Sequence, residues 1–275
     1  MNFLTIVNQI AIFFILIVVG VFARRFNLIG ETFTKQLSNL VLYITLPAMV
    51  IVSMNFEFSD ELLANAIVIF FLGPLMYGML LFVSWIFSKS VKGTDEEKSI
   101  FRYIVIFGNV GFIGYPIISI VFGKSGVFYA AILNVWFDIL SWTLGIALIS
   151  KSENKLNFKK MLLNPGIISI AIGFSLFLFS IKLPSFLQES LELLDNSTTP
   201  LAMIIIGATI GDAKLSDIFK DSRLTVYSVV KLAIVPFIMY LLLLPFDLSP
   251  LMKGIPIVLS AMPAAASITV FAMKY

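Results

Sequence analysis

The stretch FGNVGFIGYP, residues 107–116, lies inside an apolar run long enough to cross a bilayer. It holds three glycines at a spacing of three (Gly108, Gly111, Gly114), one asparagine and one proline. Glycine and proline weaken a helix. Irregular backbone at membrane depth is tolerated only where protein or a water-filled cavity covers it. The stretch therefore predicts a broken helix that lines a site. It is not a dinucleotide fingerprint, because no strand precedes it and no nearby acid completes it.

The rest of the chain fixes the setting. Of 275 residues, 59% are hydrophobic and 13% charged, against about 25% charged in ordinary soluble domains. Mean hydropathy is +1.01, and phenylalanine alone supplies 27 residues. A soluble core cannot bury that much apolar surface and still present a polar face to water. The expected fold is an all-α membrane protein with the lipid bilayer as its partner. Cysteine and histidine are absent, which removes disulfides, thiol chemistry, the commonest metal ligand and the usual near-neutral proton carrier. No Ser/His/Asp or Cys/His set, HExxH or P-loop occurs. No enzyme activity, metal or cofactor is expected.

A bilayer core of about 30 Å takes roughly 20 apolar residues per helix. Nine spans are predicted, at 5–23, 36–53, 62–87, 101–121, 126–149, 162–181, 198–212, 223–244 and 251–273. The first is longer than a signal h-region and ends in Arg24-Arg25 without a small-residue cleavage site, so it is a retained span. The segment 184–195, PSFLQESLELLD, reads either as an interfacial helix or as the wet first turns of a long one. Loops after spans one, three, five and seven carry 14 basic residues, from Arg24 to Arg223; the opposite loops carry Lys124, Lys182 and Lys253. The positive-inside rule puts the odd loops in the cytoplasm and the N-terminus outside, in the plasma membrane. The basic clusters are topology signals, not nucleic-acid sites.

An odd number of spans points to an internal repeat. LPAM (46–49) in span two matches PLAM (200–203) in span seven, and Pro116 in span four matches Pro263 in span nine. The shifts are 153 (Pro47 to Pro200) and 147 (Pro116 to Pro263). Residues 1–150 (spans one to five) and 151–275 (spans six to nine) then form two repeats. Five spans separate corresponding points, so the second repeat is inverted, as in secondary transporters. The partner of span five falls near residue 275, and this tenth helix is expected to be missing by truncation.

In an inverted repeat, corresponding interrupted spans mark the binding site. Proline suits the first position of a helix, so Pro116 and Pro263 are expected to start half-helices. The N–H groups of Ile117, Ile118 and Ser119, and of Ala264, Ala265 and Ala266, then face one place and favour an anion. The candidate substrate-binding residues are Asn109, Gly111, Tyr115, Pro116 and Ile117 with Met262, Pro263 and Ala264. Tyr115, Ser119, Ser260 and Ser267 flank the breaks and either bind substrate or satisfy freed backbone. The plainer alternative is that each proline merely kinks its helix and the glycines pack tightly.

Other intramembrane polar groups invite a role. Asp138 lies in NVWFDILSW, one turn after Asn134; an acid there costs roughly 3 kcal/mol to insert. The pair carries a proton, binds a cation or forms a structural clasp. Lys231, eight residues into span eight, is a snorkelling residue, a charge partner or a substrate contact. The tryptophans suit packing or interfaces.

GNVGFIGYPI, LNPGIISIAIG (163–173), TPLAMIIIGATIG (199–211) and AMPAAASITVFAMKY (261–275), in this order, resemble the auxin efflux carrier family, which includes plant auxin exporters and bacterial malate- and malonate-type permeases. The resemblance covers the whole chain. It implies ten helices in two inverted fives, with helices 4 and 9 broken and crossed. It implies a scaffold of helices 1, 2, 6 and 7 that dimerises through spans two and seven, and a transport domain that moves elevator-fashion. It places Asn109 and Pro116 on the helix 4 site and Pro263 on the helix 9 crossing. Met262 stands where plant members carry asparagine. The expected function is secondary transport of a small organic anion, a mono- or dicarboxylate. The competing expectations are a sodium-coupled bile-acid-type symporter and a non-transporting receptor or partner subunit.

Overall fold

The computed structural model describes residues 3–90, 93–149, 162–212 and 222–265. No strand occurs among the described residues; the elements are helical. In chain order they are α1 Phe3–Arg25, α2 Glu31–Leu40, α3 Leu46–Ser53, α4 Asp60–Ser90, α5 Asp95–Ile106, α6 Tyr115–Leu140, α7 Ile146–Ile149, α8 Pro165–Leu178, α9 Ser185–Asp212, α10 Ser222–Val229, α11 Val235–Leu243 and α12 Pro250–Ser260. Among the described residues six helical stretches are long and apolar enough to cross a membrane: Ile6–Arg25, Glu31–Ser53, Asp60–Lys89, Val110–Gly145, Ser185–Asp212 and Arg223–Leu243. Pro165–Leu178 and Pro250–Ser260 are shorter apolar helices. Residues 266–273 of the ninth expected span lie outside the described residues.

Two expectations change in detail. The stretch Val110–Gly145 joins the second arm of span four to span five, and Gly123, at φ 67° and ψ −161°, turns the chain between them. Glycine takes that conformation without a Cβ penalty. Helix α9 runs unbroken through Pro200, so 184–195 forms the first turns of a long helix rather than a separate interfacial one.

Among the described residues four π-helical turns interrupt the α-helices, at Val41–Thr45, Val110–Gly114, Ser141–Gly145 and Val230–Ile234. Three directly precede an X-Pro pair: Leu46-Pro47, Tyr115-Pro116 and Val235-Pro236. Proline has no N–H and crowds the carbonyl four residues back, so the preceding turn widens. The Leu46 and Val235 N–H groups accordingly bond the Val41 and Val230 carbonyls, five residues back. Each extra residue rotates the following face, and three of these turns bury a polar side chain: Thr45, Ser141 and Lys231.

The chain forms two compact units. The first comprises Met1–Ser59, Gly111–Phe128 and Pro165–Ile218; the second comprises Asp60–Val110, Tyr129–Asn164 and Phe219–Tyr275. Each draws residues from both sequence halves.

In the first unit α1 packs along α9, and α3 lies against α8 and α9. The α1–α9 approach is closest at Gly20 and Gly207. A Cβ on Gly207 would stand 2.9 Å from the Gly20 Cα and collide with the Ile17 carbonyl. Arg24 and Asp212 pair at one end of this contact. Gly207 and Gly211, four apart, form the small-residue stripe that lets membrane helices meet. Elsewhere α1 shows Phe14, Ile15 and Phe22 to its surroundings, the pattern of a helix whose solvent is lipid.

In the second unit α4 packs on α5 and α12, and α12 on α11. Pro74 cannot supply an N–H to the Phe70 carbonyl one turn back. The Trp136 indole N–H donates to that carbonyl instead, at 2.9 Å. Gly73 makes room, since the indole fills the space a Cβ would take. Freed backbone in lipid must find such a partner.

Candidate functional site

Both interruptions with functional promise belong to the second unit. The first arm of span four, α5, opens on a capping box. The Glu97 N–H donates to Thr94 Oγ1 (3.3 Å) and the Thr94 N–H to Glu97 Oε2 (2.9 Å), with Asp95, Glu96 and Glu97 in the first turn, where the helix dipole favours acids. Arg223 Nη1 holds the Glu97 carboxylate at 3.1 Å. The helix ends at Ile106, and Phe107 is extended, at φ −103° and ψ 97°. Helical turns resume at Val110. The break is therefore at 107–109, and Pro116 lies seven residues further on, inside a helical run.

Helix α12 ends at Ser260, and Met262 to Ala265 leave the helix. The two irregular segments pair as antiparallel backbone, Gly108 opposite Ala264. The Asn109 N–H donates to the Pro263 carbonyl at 2.6 Å, and the Ala265 N–H to the Phe107 carbonyl at 3.0 Å. Glycine at 108 permits the approach, for a Cβ would sit 3.0 Å from the Met262 Cβ and 3.1 Å from its carbonyl oxygen.

This pairing removes a bond from α5. In an uninterrupted helix the Asn109 N–H would serve the Val105 carbonyl. That carbonyl accepts instead from Lys231 Nζ, at 2.7 Å. Lys231 is 2% exposed. An ammonium suits a helix C-terminus, where the dipole is negative and carbonyls lack partners. Lys231 thus caps the broken end of α5 and places a buried amine beside the break. It is not a snorkelling residue.

The predicted residues are divided between the two units. Asn109, Met262, Pro263 and Ala264 belong to the paired segments; Met262 is buried and Pro263 exposed. Gly111, Tyr115, Pro116 and Ile117 fall in the first unit. There Tyr115 is buried, and Ile117 lines an apolar cavity of about 250 Å³ with Ile6, Ile10, Phe13 and Met203. The N–H groups of Ile117, Ile118 and Ser119 are not the start of a half-helix, because π-helical turns precede them. The Ala265 N–H is already used by Phe107. Ala266 and Ser267 lie outside the described residues. Ser119 borders a second cavity of the first unit, about 290 Å³, with Lys124, Glu192, Asp195 and Asn196. One lysine against two carboxylates makes it a poor place for an anion.

Asn134 and Asp138 share a face of α6. Asp138 is 5% exposed, and its Oδ1 accepts from Asn164 Nδ2 at 2.8 Å. Asp138 Oδ2 and Asn134 Oδ1 are buried, with no hydrogen-bond partner. Sequence reading missed Asn164, which stands directly before the first proline of α8, and the Lys231 bond to Val105. The signal for the latter was a lysine in an apolar run five residues before Pro236. No group of three or more His, Cys, Asp or Glu able to hold a metal occurs among the described residues.

Residues 5–275 match the sequence pattern of the family described as membrane transport protein. An uncharacterized transporter of Methanocaldococcus jannaschii is 27% identical over 278 residues, 98% of this chain and 89% of the relative. A helical chain with interrupted apolar spans, matched along nearly its whole length, belongs to the membrane transport protein family, that of the auxin efflux carriers.

Proposed function

We propose that the chain is a secondary transporter of small organic anions, mono- or dicarboxylates, that binds its substrate at the paired interruptions of spans four and nine. The observation that carries this reading is the backbone exchange between 107–109 and 263–265, with the buried Lys231 ammonium at its edge. Irregular backbone is costly in lipid unless a cavity or protein covers it. In its protonated form Lys231, beside the break, favours negative charge. Asn109 supplies an amide, and Met262 and Pro263 shape the opposite wall. Alternating access of the elevator type, an inverted repeat of 1–150 and 151–275 with crossed helices 4 and 9, dimerisation through spans two and seven, and a plasma-membrane protein with its N-terminus outside complete the proposal.

Uptake of labelled malate into proteoliposomes tests it. Asn109→Ala and Pro263→Leu should each lower uptake at least about tenfold, a loss of roughly 1.4 kcal/mol in transition-state stabilisation, while inserting normally. Wild-type flux in both variants removes the site from these segments. Strict dependence on sodium would favour a bile-acid-type symporter, and anion binding without movement would favour a receptor or partner subunit.

A further inference from the structure

We propose that Asp138 is the proton carrier of this transporter, with the proton held on its Oδ2 and shared with Asn134 Oδ1. The inference rests on the transport reading above and adds the coupling ion to it. Asn134 and Asp138 are four apart on α6, so their side chains are neighbours on one face. Each presents a buried oxygen that no donor reaches, Asn134 Oδ1 and Asp138 Oδ2. Both atoms are acceptors, and neither satisfies the other. Buried polar atoms are nearly always paired, so two orphans on adjacent turns point to a missing donor. A hydroxyl on the Asp138 carboxyl supplies it and leaves both groups satisfied.

The surroundings favour a proton over a metal ion. Asn164 Nδ2 already occupies Asp138 Oδ1, and Ser141 Oγ donates to the Asp138 backbone carbonyl at 3.1 Å. Two free oxygens are too few for a hard cation, which takes about six. Next along α6, Phe137 packs its ring edge-on to Phe107 of the break, centroids 5.7 Å apart. Among the described residues the other titratable side chains buried in the same unit are Tyr77, Tyr103, Tyr129 and Lys231, and Lys231 Nζ donates to the Val105 carbonyl. Among the described residues no cation pairs with the acid. Loading and release of a proton then alternates between a satisfied pair and an unsatisfied one, one residue away from a ring that touches the break.

Two measurements on the full chain in proteoliposomes test this. The first is malate accumulation driven by an imposed pH gradient, alongside malate counterflow without one. One coupled proton per substrate supports roughly tenfold accumulation per pH unit. Wild-type protein should accumulate malate accordingly. Asp138→Asn, whose amide N–H₂ can donate to Asn134 Oδ1, should keep counterflow and fall to no accumulation. Gradient-driven accumulation unchanged in Asp138→Asn, or a wild type that ignores the gradient and requires sodium, overturns the proposal. The second is infrared difference spectroscopy of the carboxylic C=O stretch, which needs no transport. A protonated-carboxyl band should appear in wild type near neutral pH, vanish in alkali and be missing in Asp138→Asn. Its absence in acid overturns the proposal whatever malate does. A band present without malate movement keeps the protonated acid and discards the transport reading.

Discussion

Two places in this molecule bring backbones unusually close, and they do so by opposite means. In the first unit α1 and α9 stay intact and meet at Gly20 and Gly207 because neither residue has a side chain to hold them apart. In the second unit the helices open. Residues 107–109 and 263–265 exchange backbone hydrogen bonds, and a lysine replaces one that the helix gave up. The glycine contact is a packing device: both helices run on through it. The paired break redistributes donors, acceptors and charge. Glycine near glycine is therefore weak evidence for a site, whereas rerouted backbone bonding inside lipid is strong evidence.

The contrast predicts different failures. The largest effect belongs to Gly207→Val. Its Cβ would press on the Ile17 carbonyl, which is backbone and cannot swing aside. A destabilisation toward the upper end of about 1–3 kcal/mol is expected, seen as a lowered melting temperature and poor recovery in detergent. A variant that melts like wild type would show that the glycine contact is not a packing constraint. Lys231→Met comes next. It leaves the Val105 carbonyl buried without its donor, a cost of about 1–3 kcal/mol, partly offset because a buried charge is removed as well. Melting should fall modestly while malate uptake is lost; retained uptake would reduce Lys231 to a plain cap. The smallest effect belongs to Lys182→Ala. The Lys182–Glu57 pair is 2.9 Å apart, with both side chains 81% exposed. The ammonium and its hydrogen bond hold the Glu57 carboxyl below the usual carboxylate range. Any stabilisation from that lowered value is present at neutral pH and lost as the carboxyl protonates in acid. Solvent and salt screen it, so neutral-pH melting curves of variant and wild type should superimpose.

Apolar run length gave most of the fold, because about 20 residues of lipid-compatible sequence admits little besides a helix. The site was legible as a neighbourhood and not as a geometry. Within 107–116 the local chemistry offers Gly108, Gly111, Gly114 and Pro116 as places to yield. Which one yields is decided by a partner backbone some 155 residues later, and no local propensity encodes that. Pro116 was the obvious candidate, yet a widened turn before it absorbs the missing bond. Asp138 was visible as an expensive acid, but its unsatisfied oxygen and its Asn164 neighbour emerged only in three dimensions. Trp136 gave no sequence signal until Gly73 and Pro74 were seen to vacate a carbonyl and the space in front of it.

The Lys231 bond to Val105 spans 126 residues of sequence. During synthesis, then, the fourth span enters the membrane long before its terminal carbonyl has a partner. A nascent chain halted ahead of residue 231 has only its own amides to offer, and its best course is to wind 107–109 into ordinary helix. The gap matures on arrival of the eighth and ninth spans, so an early element takes its final shape from elements made later.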